Sequence, residues 1–186
     1  GTDHANLPIW LWLQGRVQSA LAVDVAEGPL QHARRQVAAY APAVEVRHSD
    51  GLSGVRSDEV DCVAICGMGG ATVRTIIDGG RTVLKGVRRL IIQPQGMEAE
   101  VRQLLISMGW ECVDACLVSE RKHLYVVESW EPDLQQYEWS SEDVRWGRIV
   151  RGRPDPLHRA WIERELLNVE QGLRRIERAG QSEHTD

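Results

Sequence analysis

The stretch Val-Asp-Cys-Val-Ala-Ile-Cys-Gly-Met-Gly-Gly-Ala-Thr-Val-Arg-Thr-Ile-Ile-Asp, residues 60–78, decides how this chain reads. Its first part, Val60–Cys66, is a continuous apolar run of the length of a buried strand. Gly67-Met68-Gly69-Gly70 breaks that run, and residues 71–78 then read as a helix. A strand that passes through a glycine-rich loop into a helix is the unit of a layered α/β fold. Three glycines in four positions exceed what one tight turn requires, so they imply a backbone crowded against something.

The flanks repeat the unit. Upstream, Ala5–Leu13 reads as a short helix with Pro8 in its first turn, where proline is tolerated. Ala20–Val25 is an apolar run carrying Asp24 near its end, and Gly28–Tyr40 is a helix with Leu30, Ala33, Val37 and Ala38 on one stripe. Val44–Arg47 is a strand leading into Ser49-Asp50-Gly51. Downstream come a helical piece near Thr82–Leu84, a strand at Leu90–Ile92 stopped by Gln93-Pro94-Gln95-Gly96, and an amphipathic helix over Glu98–Met108. Two strands, Glu111–Val118 and His123–Trp130, flank a polar turn at Ser119–Lys122. This alternation predicts a Rossmann-like α/β fold: a mostly parallel sheet closed by an antiparallel hairpin. Gly1 already reads as the first glycine loop of such a sheet. The strand that normally leads into that loop, a central one, is therefore expected to be missing.

After Pro132 the grain changes. Glu131–Ser141 is polar linker, and Arg151–Pro156 holds two prolines. Leu157, Trp161, Leu166, Val169, Leu173 and Ile176 then recur at near-helical spacing. This predicts one long helix paired in a hairpin with a shorter one around Glu142–Ile149. The expected division is a sheet domain over 1–131, a helical appendage over 132–179 and a disordered tail over 180–186.

Composition narrows the class. The 186 residues are 42% hydrophobic and 26% charged, the balance of an ordinary globular protein with one main domain. No apolar run approaches the length of a membrane span, and the first residues lack signal-peptide character, so a cytoplasmic protein away from membranes is expected. The net charge of −5 is unevenly spread. Residues 145–178 carry nine arginines against five acids, whereas residues 1–144 carry 13 basic against 20 acidic residues. A basic arm behind an acidic domain invites a nucleic-acid reading. Cys62/Cys66 and Cys112/Cys116 resemble zinc-ligand pairs, but four residues along a strand separate two side chains by about 13 Å. No metal is expected, and the four cysteines read as buried reduced thiols.

Chemistry is expected at the carboxyl ends of the parallel strands. Gly1 would let a ligand approach the backbone, beside free N–H groups of the following helix. Asp24 is placed to accept hydrogen bonds from ribose hydroxyls, or merely to cap the next helix. Asp50-Gly51-Leu52 could accept from an adenine amino group and pack on its ring, or could be an ordinary turn. Gln93-Pro94 brings an amide that can pair with a base edge. Asp3 competes between a role in chemistry and capping the helix that begins near Ala5.

Taken together, Gly-Thr-Asp-His-Ala-Asn-Leu-Pro (1–8), Asp24 with Glu27-Gly28-Pro29, Asp50-Gly51-Leu52, Gly67-Met68-Gly69-Gly70 and Gln93-Pro94 resemble the bacterial tRNA (adenine(22)-N1)-methyltransferase family. The resemblance runs from residue 1 to about 178, and one departure is Gln95, where relatives commonly have Asn. It implies a class I methyltransferase sheet with a coiled-coil-like helical appendage, S-adenosyl-L-methionine as cofactor and tRNA as substrate. Gly1 would lie by the methionine half of the cofactor, Asp24 by the ribose, and Asp50, Gly51 and Leu52 by the adenine. Asp3 and His4 would face the methyl group and target base, with Gly67 and Met68 lining the cofactor side and Gly69, Gly70, Gln93 and Pro94 the substrate side. The base must leave its stack to expose N1. Arg174 and Arg175 on the basic arm would then hold phosphates, unless the arm is a solvated helix with i,i+4 ion pairs. Three other readings stay open: a methyltransferase acting on a protein or small molecule, a dinucleotide oxidoreductase, and a non-enzymatic RNA-binding module. The oxidoreductase lacks a full Gly-x-Gly-x-x-Gly after a first strand.

Overall fold

The computed structural model describes residues 1–121, 123–135, 137–147 and 156–182. Helix α1 (Asn6–Leu13), strand β1 (Ala20–Asp24), helix α2 (Glu27–Tyr40) and strand β2 (Val44–His48) form the first half. Strand β3 (Cys62–Gly69), helices α3 (Gly70–Gly79) and α4 (Arg81–Leu84), strand β4 (Arg89–Gln95) and helix α5 (Glu98–Ser107) follow. Strands β5 (Trp110–Glu120) and β6 (His123–Pro132) make a hairpin, and helices α6 (Ser141–Trp146) and α7 (Pro156–Ser182) complete the order.

Among the described residues the strands fall into two sheets. One pairs β1 with β2 in parallel, and the other has the order β3-β4-β6-β5. β3 and β4 are parallel, whereas β6 runs antiparallel to both β4 and β5. β1 and β3 are not hydrogen-bonded neighbours, so the α/β alternation and closing hairpin are as expected while the sheet is divided in two. Leu52, in the loop after β2, packs against the core of the second sheet and links the halves.

That core lies between β3–β4 and helices α3 and α5. Val63, Ile65, Val73, Ile77, Ile92 and Leu105 are all below a tenth exposed. Each such side chain contributes about 1.5–3 kcal/mol when fully buried. Strand alternation explains a correction to the cysteine expectation. Because Val63 and Ile65 point into the core, Cys62, Ala64 and Cys66 point to the other, exposed face of β3. Only Cys112 is buried. Partial desolvation still raises the Cys62 and Cys66 thiols above their usual range, so they stay protonated near neutral pH.

β3 and β4 are both longer than the sequence implies. The ladder continues through Met68 opposite Pro94 and Gly69 opposite Gln95, with a bulge between Cys66 and Met68. Gly67 supplies the bulge with φ +75, a conformation that disfavours any Cβ. Pro94, which lacks an N–H, is accommodated beside that irregularity.

Helix α7 is fastened near its start. Trp161 of α7 is buried with Leu117 and Val126 of the hairpin, and Trp146 of α6 meets it edge-on with ring centroids 5.8 Å apart. Beyond that point the predicted apolar stripe is open: Leu166 is 52%, Leu173 55% and Ile176 70% exposed. The expected short helix ends at Trp146, because Gly147 leaves helical geometry with φ +73. Ile149 and the proline-bearing stretch 151–155 lie outside the described residues, as do residues 183–186 of the expected tail, whereas α7 continues to Ser182. No helix among the described residues is long and apolar enough to cross a membrane.

Candidate active site

Asp24 is the centre of the strand-end cluster. It closes β1 at 6% exposure, and its two carboxylate oxygens accept from different backbone donors. Oδ1 takes the N–H of Ala26 at 3.0 Å, and Oδ2 takes the N–H of Asp3 at 3.2 Å. Burial pushes this carboxyl up, but the Ala26 and Asp3 N–H donors pull it down further, so it rests below the ordinary aspartate value. It is therefore a carboxylate at any physiological pH, and each oxygen keeps a lone pair for a further donor.

The segment before α1 is shaped around that carboxylate. Thr2 donates its N–H to the carbonyl of Val23 at 2.8 Å, laying residues 1–3 along the end of β1. A Cβ on Gly1 would stand 3.1 Å from Asp24 Oδ2 and 3.6 Å from Met68 Cε, so only a glycine fits comfortably between them. Asp3 and Ala5 both adopt left-handed backbone, at φ 51 and 57. Two such non-glycine residues in three positions cost on the order of 1–2 kcal/mol each, a strain found mostly at functional sites. The Asp3 side chain makes no capping bond to α1. Ala5 occupies the N-cap of α1 with no side-chain cap, and the Asp3 carboxylate is 74% exposed, 3.6 Å from His4 Nε2. The His4 ring also leans on His32 of α2, centroids 5.0 Å apart.

The glycines after β3 divide into two roles. Gly70 is crowded by the chain itself: a Cβ there would lie 2.1 Å from the Gly96 carbonyl oxygen and 2.7 Å from Met97 Cβ. Gly67 and Gly69 face open space, with nothing within 4 Å of where a Cβ would stand. These two can therefore admit a ligand against bare backbone. Gln93 sits beneath them at 9% exposure. Its Oε1 accepts from Gly67 N–H at 2.8 Å and its Nε2 donates to the Pro94 carbonyl at 3.3 Å, so its amide shapes the bulge.

The loop after β2 is anchored on α3. Gly51 has φ +54, and a Cβ there would come within 2.9 Å of the Ile76 side chain. Leu52 is wedged against the α3–α4 junction, 2.4 Å from where a Gly80 Cβ would be. Asp50 remains exposed at the rim. Two residues that sequence reading passed over organise this loop. Ser49, 5% exposed, accepts from Gly54 N–H at 2.7 Å and donates to the Gly51 carbonyl at 3.2 Å. His48 Nε2 bonds the Val25 carbonyl at 2.9 Å, tying the ends of β1 and β2 together. A Ser-Asp-Gly turn was a visible signal for the first; the second is a long-range contact with none.

Gly1, Asp3, Asp24 and Met68 thus meet directly, with the glycine bulge and the Asp50–Leu52 loop beside them. Arg174 and Arg175 do not join this group. They lie on the exposed distal part of α7, where Arg174 approaches Glu170 at 4.0 Å. No group of three or more His, Cys, Asp or Glu able to hold a metal occurs among the described residues.

Comparison with known proteins bears on this arrangement. The family profile described as TrmK, tRNA (adenine(22)-N(1))-methyltransferase, matches residues 1–185. The chain belongs to this family. A Bacillus subtilis tRNA (adenine(22)-N(1))-methyltransferase is 33% identical over 129 residues, 68% of this chain. That match spans 54% of the curated relative's length, so the chain matches only about half of it. Among solved structures, Streptococcus pneumoniae Sp1610 in complex with S-adenosyl-L-methionine is 32% identical, with a TM-score of 0.86 over 92% of this chain and 81% of that one. The Bacillus subtilis m1A22 tRNA methyltransferase TrmK is 27% identical, with a TM-score of 0.86 over 96% and 79%. The family members share the Rossmann-type methyltransferase fold, here carrying the C-terminal helix α7.

Proposed function

We propose that the protein transfers a methyl group from S-adenosyl-L-methionine to N1 of an adenine in tRNA, at position 22 by family. The observation that carries this reading is the ionised, backbone-held Asp24 carboxylate, separated by Gly1 from Met68 of the glycine-rich end of β3, in a chain of this family. When bound, the cofactor supplies an electrophilic methyl carbon on a sulfonium centre. The Asp24 oxygens accept from the ribose hydroxyls through their remaining lone pairs. Gly1, Gly67 and Met68 border the methionine side, while Asp50 and the backbone of Gly51 and Leu52 border the adenine. Because Leu52 packs on α3, it shapes this border from behind.

Adenine N1 has its own lone pair, so no covalent enzyme intermediate is needed, and the raised cysteine thiols have no part to play. The protein's contribution is orientation, together with negative charge where the methylated base becomes cationic. Asp3 provides that charge: its carboxylate is exposed beside Asp24 and is free of a capping role. His4, between two left-handed residues, positions it. Gly69 borders the flipped base, and Gln93, Pro94 and Gly70 hold the strand ends behind it. Arg174 and Arg175 contact phosphates as part of the appendage over 132–179, outside the catalytic region over 1–131. Such a substrate places the protein in the cytoplasm.

The test is methylation of unmodified tRNA with labelled cofactor, followed by mapping of the modified base. Label in N1-methyladenine at position 22 is expected. Label on protein or small molecules alone, or cofactor binding without transfer, would refute the reading.

A further inference from the structure

We propose that the buried Arg102–Glu128 pair is a positioning joint, setting the root of helix α7 relative to the strand-end cluster and thereby the engagement of tRNA. The proposal rests on the functional reading above.

β6 presents Val126, Glu128 and Trp130 on one face, and three different elements dock along it. Val126 packs with Trp161 of α7, and Trp130 lies in the main core with Trp139 of the linker stacked on it at 5.4 Å. Between them Glu128, 2% exposed, receives Arg102 Nε of α5 at 2.7 Å, with Arg102 fully buried. The other Glu128 oxygen accepts from Trp130 Nε1 at 3.2 Å.

Stability does not account for the pair by itself. Replacing a buried ion pair by apolar side chains is often neutral or even stabilising. What an apolar substitute would lack is direction. Arg102 Nη1 donates to the carbonyls of Val144 and Arg145, at 3.1 and 2.9 Å. These belong to the last turn of α6, where helix carbonyls lack intrahelical partners. The planar guanidinium therefore holds β6 and the end of α6 in one fixed fork. Gly147 packs directly on the pair: a Cβ there would be 2.9 Å from Glu128 Oε1 and 3.1 Å from Arg102 Nη2.

The fork connects outward in both directions. Trp146, the last residue of α6, bears edge-on against Trp161 at the root of α7. On the other side, α5 begins one residue after Met97, whose neighbour Gly96 abuts Gly70. One helix thus meets the glycine loop of β3 at its start and carries the joint one turn later. An apolar contact such as Trp161 on the hairpin can slide, whereas three hydrogen bonds from one guanidinium cannot.

The test uses Arg102→Met with Glu128→Gln, which removes both charges yet leaves an acceptor for Trp130. Three quantities are compared with the unaltered protein: cofactor Kd by calorimetry, KM and kcat for tRNA, and the distance between spin labels at Arg74 and Arg175 in a background without the native cysteines. The expected result is a cofactor Kd within about twofold, a tRNA KM raised about tenfold or more with kcat little changed, and a broadened label distance. Arg102→Lys should share the KM defect, since an ammonium can hold Glu128 but cannot span both carbonyls. An unchanged tRNA KM with an unchanged label distance overturns the proposal. If the double variant does not fold, Gly147→Ala is decisive, because it presses on the joint while leaving the pair in place; a normal tRNA KM there also overturns it. If the unaltered protein methylates no tRNA, the functional reading fails instead, and the label distance alone decides whether the joint sets the helix root.

Discussion

Gly69 and Gly70 are adjacent, yet a methyl group added to each should act on different properties. At Gly70 the new Cβ would sit 2.1 Å from the Gly96 carbonyl oxygen, against an ordinary contact of about 3.2 Å or more. The neighbour is backbone, already turned at φ +88 for Gly96 and +56 for Met97, so relief requires moving β4's end and the start of α5 by about 1 Å. Overpacking of this kind costs about 1–3 kcal/mol, and the depth of the overlap places Gly70→Ala in the upper half. In a chain of this size that lowers Tm by about 4–12 °C. Gly69→Ala meets nothing within 4 Å. Its φ of −59 suits alanine, so its stability should stay within about 1 kcal/mol of the parent. It should instead lose methyl transfer by about tenfold or more, because the added carbon occupies the space left for ligand. Thermal melts and methyl-transfer assays of the two variants make the comparison. If Gly70→Ala melts within a degree of the parent, or Gly69→Ala keeps full activity, the division of the glycines is wrong.

Asp24→Asn should weaken cofactor binding at least about tenfold by calorimetry, since an amide cannot accept from two hydroxyls and the Asp3 and Ala26 N–H groups together. Glu59 is pulled down to about 2 by its bonds to Arg47 and to the Arg56 N–H. A depressed folded value means its contribution is complete above the unfolded value of about 4.3 and is lost as pH falls toward 2. Urea midpoints should therefore fall across that window, and Glu59→Gln should flatten the dependence. Charge reversal of Arg174 and Arg175 together should weaken tRNA binding and reduce the slope of log K against log salt by about 1–2, read from filter binding. An unchanged slope would remove the distal arm from the RNA interface.

The layer order was legible because it is written in local signals. Continuous apolar runs located β1, β3 and β4, and helical spacing located α2, α5 and α7, all without knowledge of their neighbours. Element ends were less legible where pairing overrides local chemistry. Gln93-Pro94-Gln95 reads as a strand stop, yet the bulge at Gly67 extends the ladder to Gln95. The exposed cysteines failed for a related reason: alternation predicts which residues share a face, not which face another element covers.

Within the site, sequence reading located Asp24 but could not divide its loops between ligand and scaffold. That division depends on which atoms arrive from elsewhere in the chain. Gly70 and Gly69 are indistinguishable on paper, and only the Gly96 carbonyl separates them. Gln93, attractive as a base reader, has its amide directed inward to Gly67 by a 26-residue separation in sequence. The Arg102–Glu128 pair spans the same separation and was invisible for a further reason. An arginine in a helix of mixed charge and a glutamate in a β strand each look like ordinary surface residues, and only contacts distant in sequence bring them together under α6. Hence a mutational scan guided by sequence alone would visit the strand-end loops and overlook the joint. If the joint sets the helix root, its variants should raise the tRNA KM while sparing the cofactor Kd, the reverse of what Asp24→Asn should do.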